Sequence, residues 1–161
     1  MSSAASAHAQ PAQARRADRD LVVVISPFGE PAPHLIAAVG HRGALGILDL
    51  GLDAGRGREA LAATAAWSSA PFGVRVAQGC PLVVGDLAGD LAAVVDTVLL
   101  GVDAPWSVAE AARGGRRVLV EVLSVQDALR ALADGADGLV ARGNEAGGGS
   151  VTSRRSLCYS T

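Results

Sequence analysis

The chain has 161 residues and a net charge of −2; half of its residues are hydrophobic and only 3% are aromatic. That is enough chain to bury a core as one domain, and the charge balance gives no footing for nucleic-acid binding. Every basic residue is arginine, which excludes a Walker lysine, a Schiff-base lysine and a lysine general base.

Residues 1–19 are rich in Ala, Ser, Gln, Pro and Arg without periodicity and read as a disordered leader. Leu21 to Ile25 is a β-branched and aliphatic run stopped by Ser26-Pro27, as a buried strand would be. Ser26-Pro27-Phe28-Gly29 makes a turn. Pro31 and Pro33 suit a helix start, with Leu35, Ile36 and Val39 as its apolar face and Gly40 or Gly43 as its end. Ala44 to Leu50 is the second strand, Gly51 to Gly57 a loop, and Arg58 to Trp67 an alanine-rich helix. Phe72 to Ala77 is the third strand. Leu82 to Val95 is ambiguous: Gly85 and Gly89 weaken a helix that Leu87, Leu91 and Val94 support.

Asp96 to Val102 is the fourth strand. Ser107 and Glu110 have capping-box spacing for a short helix that runs to Arg113 and ends at Gly114-Gly115. Arg117 to Leu123 is the fifth strand, and Glu121, a charge inside its otherwise apolar run, is a carboxylate that burial permits only if it is paired or functional. Ser124 caps the next helix, where Val125, Ala128, Leu129 and Leu132 fall on one face. Gly135 suits a helix C-cap. Gly138 to Arg142 is the sixth strand, apolar enough to be covered on both faces. Asn144, Glu145 and Ala146 then lead into Gly147, Gly148 and Gly149, a run that lets backbone N–H groups approach an anion or a flat ring, or that is simply a flexible loop.

The strands recur every 20 to 28 residues or so, the rhythm of repeated βα units with a parallel sheet. Two architectures fit: an open doubly wound sheet, or a TIM barrel, which needs eight units and about 250 residues. Neither Ser26-Pro27-Phe28-Gly29 nor Gly40-His41-Arg42-Gly43 is the dinucleotide fingerprint. Cys80 and Cys158 lie far apart with no CxxC, and His8, His34 and His41 lack metal-ligand spacing. No apolar run reaches the length of a membrane span, so no membrane is expected and a cytoplasmic location is the expectation.

Ile25-Ser26-Pro27-Phe28-Gly29 followed by PHLIAAVGHRGALGIL resembles the opening of nitronate monooxygenase-like flavoproteins. Pro71-Phe72-Gly73-Val74 resembles their third strand. VEVLSVQDALRALADGADGLVARGNEAGG resembles their stretch from the fifth strand to a Glu-Ala-Gly-Gly loop, the most specific part of the match. The resemblance covers residues 21–148 and extends to related barrels of polyketide and polyunsaturated fatty acid synthases, which act as flavin-dependent enoyl reductases.

It implies a TIM barrel that binds FMN at the C-terminal ends of its strands. Pro27, Phe28 and Gly29 would line the isoalloxazine, Glu121 would point up from the fifth strand, and Gly143, Glu145, Ala146, Gly147 and Gly148 would form a loop over the flavin. Glu145 would be the one candidate for a catalytic carboxylate, or else a loop-ordering one. The flavin would carry the redox chemistry on a small-molecule substrate.

The chain departs from that family in three places. Gly149 stands where nitronate monooxygenases carry the His that acts as base, which favours the enoyl reductase branch. Arg75 stands where the family often has Asn. After Gly149 the βα pattern stops. The expectation is therefore an incomplete barrel over residues 20–149, lacking strands seven and eight, with an irregular tail over 150–161. It would be a truncated piece of a longer flavoprotein, completed by self-association or a partner domain, or a noncatalytic fragment. A third reading is a phosphate-binding α/β protein that uses the Gly147–Gly149 nest.

Overall fold

The computed structural model describes residues 22–27 and 29–143. Phe28, Glu145, Ala146, Gly147 and Gly148, with the leader and the tail, lie outside the described residues. Within them the elements are β1 (Val23–Ile25), α1 (Pro33–His41), β2 (Leu45–Asp49), α2 (Ala54–Trp67), β3 (Phe72–Val76), a 3-10 turn (Val84–Leu87), α3 (Leu91–Val94), β4 (Val95–Leu100), α4 (Val108–Ala111), β5 (Arg117–Val122), α5 (Val125–Ala133) and β6 (Gly138–Ala141).

All six strands are parallel, and their order in the sheet is their order in the chain. This order decides between the two expected architectures. A doubly wound sheet reverses direction once, which places helices on both faces. A monotonic order keeps the helices on one face and leaves the other to be covered by curling. The helices supply Ile36, Ala60, Leu61 and Ala111 to the core formed with Leu48, Leu50, Val74, Val76, Val98, Leu100 and Val118. The opposite parity forms a second cluster, in which Leu45, Ile47 and Leu99 are fully buried with Ile25, Leu119 and Val140 packed against them. Among the described residues no helix packs on that face, and the sheet's own curvature buries it. Gly73 of β3 lies between Ile47 and Thr97, where an added Cβ would come 3.0 Å from Ile47 Cγ1; the strand between β2 and β4 thus leaves room for their side chains. The fold is an α/β half-barrel, part of a TIM-barrel-like architecture.

Four local expectations change. The loop at Gly51 to Gly57 is cut short because α2 starts at Ala54, with the Asp53 carboxylate accepting from the Arg56 amide at 2.8 Å. Its glycines serve close approach: a Cβ at Gly57 would stand 2.7 Å from the Leu50 carbonyl oxygen. The ambiguous stretch from Leu82 becomes the 3-10 turn and the single turn of α3, after which β4 starts at Val95.

β1 and β6 are not covered as expected. Each has one neighbour among the described residues, so Val23 and Leu139 stay partly open. Finally, the apolar face of α5 is turned out: Val125, Leu129 and Leu132 are 77%, 62% and 54% exposed, and the side against the sheet is held by Ala131. The caps hold as read. Ser107 and Glu110 form the capping box, the Ser124 hydroxyl accepts from the Asp127 amide at 3.1 Å, and Gly135 takes φ +90° just past α5.

Candidate functional site

The inward parity that carries Leu45, Ile47 and Leu119 continues to charged residues at the C-terminal strand ends. In β2 the next inward residue is Asp49, in β3 it is Arg75, and in β5 it is Glu121. All three are buried. Arg75 binds both carboxylates. Its Nη1 donates to Asp49 Oδ2 at 2.6 Å, its Nε to Glu121 Oε1 at 2.7 Å, and its Nη2 to Glu121 Oε2 at 3.0 Å. The pairing with Glu121 is two-pronged, the geometry in which guanidinium and carboxylate match best. Arg142, just past β6, adds Nη1 to Glu121 Oε2 at 3.4 Å. Burial opposes the charge on Arg75, but the hydrogen bonds it donates to Glu121 and Asp49 outweigh it and raise its pKa above the ordinary arginine value.

To reach from β3 to β5 the Arg75 side chain must pass β4. Gly101, at the end of β4, permits this: a Cβ there would stand 3.1 Å from Arg75 Nη2. Asp49 also gathers backbone. Its Oδ1 accepts from Gly51 N at 2.8 Å and Gly29 N at 3.3 Å, and its own amide donates to Ser26 Oγ at 2.7 Å. Gly29 and Gly51 both take left-handed φ, +73° and +70°, where a side chain would be strained. One hydrogen-bonded chain thus links the ends of β1, β2, β3, β5 and β6, with the fourth strand supplying the gap.

Of the residues expected to hold a cofactor, Pro27 and Gly29 follow the C-terminal end of β1, Glu121 lies near that end of β5, and Gly143 follows that end of β6. Phe28, Glu145, Ala146, Gly147 and Gly148 are outside the described residues. Asp49, Ser26, Gly51 and Gly101 were not singled out from the sequence. The signal was present for Asp49, a charge inside the apolar run ALGILDL just as Glu121 is inside RVLVEVL.

A cavity of about 590 Å³ opens beside the ends of β4 and β5, between α4 and α5, and is lined in part by Gly101, Asp103, Trp106, Glu121, Asp127 and Arg130. Among the described residues no group of three His, Cys, Asp or Glu could hold a metal ion, and no helix is long and apolar enough to cross a membrane.

A half-barrel with polar groups gathered at its C-terminal strand ends is the layout of TIM-barrel sites. Solved structures give that class particular neighbours. The chain is similar to FabK from Thermotoga maritima, at 26% identity and TM-score 0.54, covering 74% of this chain and 39% of that one. A FabK mutant from the same organism matches at 26% identity and TM-score 0.53, over 74% of this chain and 42% of the other. Nitroalkane oxidase from Streptomyces ansochromogenes is similar in fold, at 24% identity and TM-score 0.56, over 74% and 45%. The chain thus spans less than half the length of these structures. No family model and no curated protein matches it. These neighbours agree with the nitronate monooxygenase-like resemblance carried by the sequence motifs.

Proposed function

We propose that the chain is part of an FMN-dependent oxidoreductase barrel of the nitronate monooxygenase-like group, with enoyl reduction the branch it fits best. The observation that supports this most is the gathering of inward-facing polar residues and bare glycines at the C-terminal strand ends of a half-barrel whose solved neighbours include FabK. A flat ring would find backbone without side chains there. An added Cβ at Gly29 or Gly143 would meet none of the described residues within 4 Å. The residues present fit that end of a flavin. Pro27, Gly29 and the loop from Gly143 to Gly148 would hold it, Glu121 would act through Arg75, and Glu145 is the candidate carboxylate near a substrate. When bound, FMN would supply hydride transfer. Gly149, in place of a histidine base, favours enoyl reduction over nitronate oxidation.

The chain would need further βα units to close its barrel, from a longer chain, a second copy or a partner domain. The side of β6 that has no partner among the described residues supports that reading, because a seventh strand would pair there, and the outward apolar stripe of α5 is a surface that a helix following β6 would cover. The test is retention of FMN through gel filtration, followed by two anaerobic assays: reoxidation of the reduced flavin by a 2-enoyl thioester, and reduction of the oxidised flavin by a nitronate. Reoxidation by the thioester supports the enoyl reductase branch. Reduction by the nitronate alone overturns that branch, and no retained flavin overturns the cofactor.

A further inference from the structure

The clasp at the strand ends has a feature that pairing alone does not require. If Asp49 served only to neutralise Arg75, one oxygen would suffice, and the Oδ2 atom makes that bond. Its other oxygen, Oδ1, receives two backbone amides from two different turns, Gly29 after β1 and Gly51 after β2. Both glycines are held in the left-handed region. The turns also touch directly, since a Cβ on Gly51 would come 3.3 Å from the Pro31 ring and 3.4 Å from the Gly29 carbonyl oxygen. Ser26 completes the hold by accepting from the Asp49 amide. Asp49 is fully buried and cannot turn away to solvent.

We infer that Asp49, oriented by Arg75, is a positioning residue that fixes Gly29, just past β1, at the place where the flat ring of the cofactor would lie. This rests on the flavin reading above. Arg75 holds the carboxylate from one side, and the two amides read its orientation on the other. Glu121 holds the far edge of the guanidinium, so the position of the first turn is set from the fifth strand. The arrangement also assigns a role to arginine in place of the family's more frequent asparagine. An asparagine side chain is too short to reach from β3 past Gly101 to Glu121, and carries no charge to hold two buried carboxylates.

The experiment uses the full 161-residue chain, with amide hydrogen exchange followed by NMR and FMN titration followed by the visible flavin band. In Asp49→Asn one side of the new carboxamide must face donors with its own NH2, so either the amides or Arg75 lose their acceptor. The expected result is exchange about 10-fold faster at Gly29 and Gly51 than any general loss of stability, read from the strand amides of β3 and β4, accounts for, as the loss of one local hydrogen bond implies. FMN affinity should fall by a similar factor, with a displaced flavin band. Arg75→Lys keeps the charge and one bond, and should give a smaller change in the same two amides; it decides the matter if Asp49→Asn does not fold. Unchanged exchange at Gly29 and Gly51 in a folded variant overturns the inference, as does acceleration spread evenly over the sheet. If the wild-type chain takes no FMN, the flavin reading fails, and exchange alone decides whether Asp49 fixes the turn.

Discussion

Replacing Arg75 by methionine would leave the volume of the side chain nearly filled and remove only its charge and donors. Asp49 and Glu121 would then sit buried, their side chains 0% and 2% exposed, with their shared cation gone. Removing one partner of a buried ion pair costs about 3–5 kcal/mol, because the remaining charge is uncompensated. Here two carboxylates lose the same partner, but Glu121 keeps Arg142 at 3.4 Å, so the middle of that range applies. Urea unfolding followed by circular dichroism at pH 7 measures the effect. The variant should be several kcal/mol weaker than wild type. A loss below about 1 kcal/mol, the size of an exposed pair, would refute the reasoning.

Three further predictions use the same unfolding assay. Gly57→Ala should destabilise the chain although alanine favours a helix by about 1 kcal/mol over glycine, because the new Cβ would stand 2.7 Å from the Leu50 carbonyl oxygen; a stabilised variant contradicts the close packing of α2 on β2. The Arg58 hydrogen bond, with the Val83 amide, holds the Asp86 pKa below its ordinary value. Its stabilisation is therefore present above about pH 4 and lost as pH falls through the depressed folded pKa, so Asp86→Asn should cost about 0.5–1.5 kcal/mol at pH 7 and little at pH 2. Leu129→Ser should change stability by no more than about 0.5 kcal/mol, since that side chain is 62% exposed, whereas a cost near 2 kcal/mol would show that α5 buries this face.

The six strands were legible because each is a short apolar run bounded by Gly, Pro or a capping residue, and their even spacing pointed to βα units. The choice between barrel and doubly wound sheet was not legible, because strand order is a long-range property that periodicity does not encode. The glycines of the Gly51 to Gly57 stretch misled for a physical reason. Glycine marks both turns and tight helix contacts, and Gly57 is the second kind. Val125, Leu129 and Leu132 show the reverse case. Their helical spacing located α5 correctly, but periodicity says only that a face is apolar, not whether anything covers it.

The candidate site was half legible. Glu121 stood out as a carboxylate in an apolar strand, and Arg75 as a departure from the family pattern. That the two meet, across β4 and with Asp49 as a third member, depends on the curl of the sheet. Inward parity links them: Asp49, Arg75 and Glu121 each close the inward-facing series of their own strand. Gly101 had no sequence signal, since its role is the side chain it lacks.

The most direct test of the central claim is calorimetric titration of the full chain with FMN, paired with thermal unfolding at increasing FMN. Saturable binding is expected, with a midpoint that climbs with ligand by the equivalent of about 2.7 kcal/mol at a hundredfold excess over Kd. An absence of binding heat together with an unmoved midpoint would contradict the FMN reading. The half-barrel would then share only its fold with its solved neighbours.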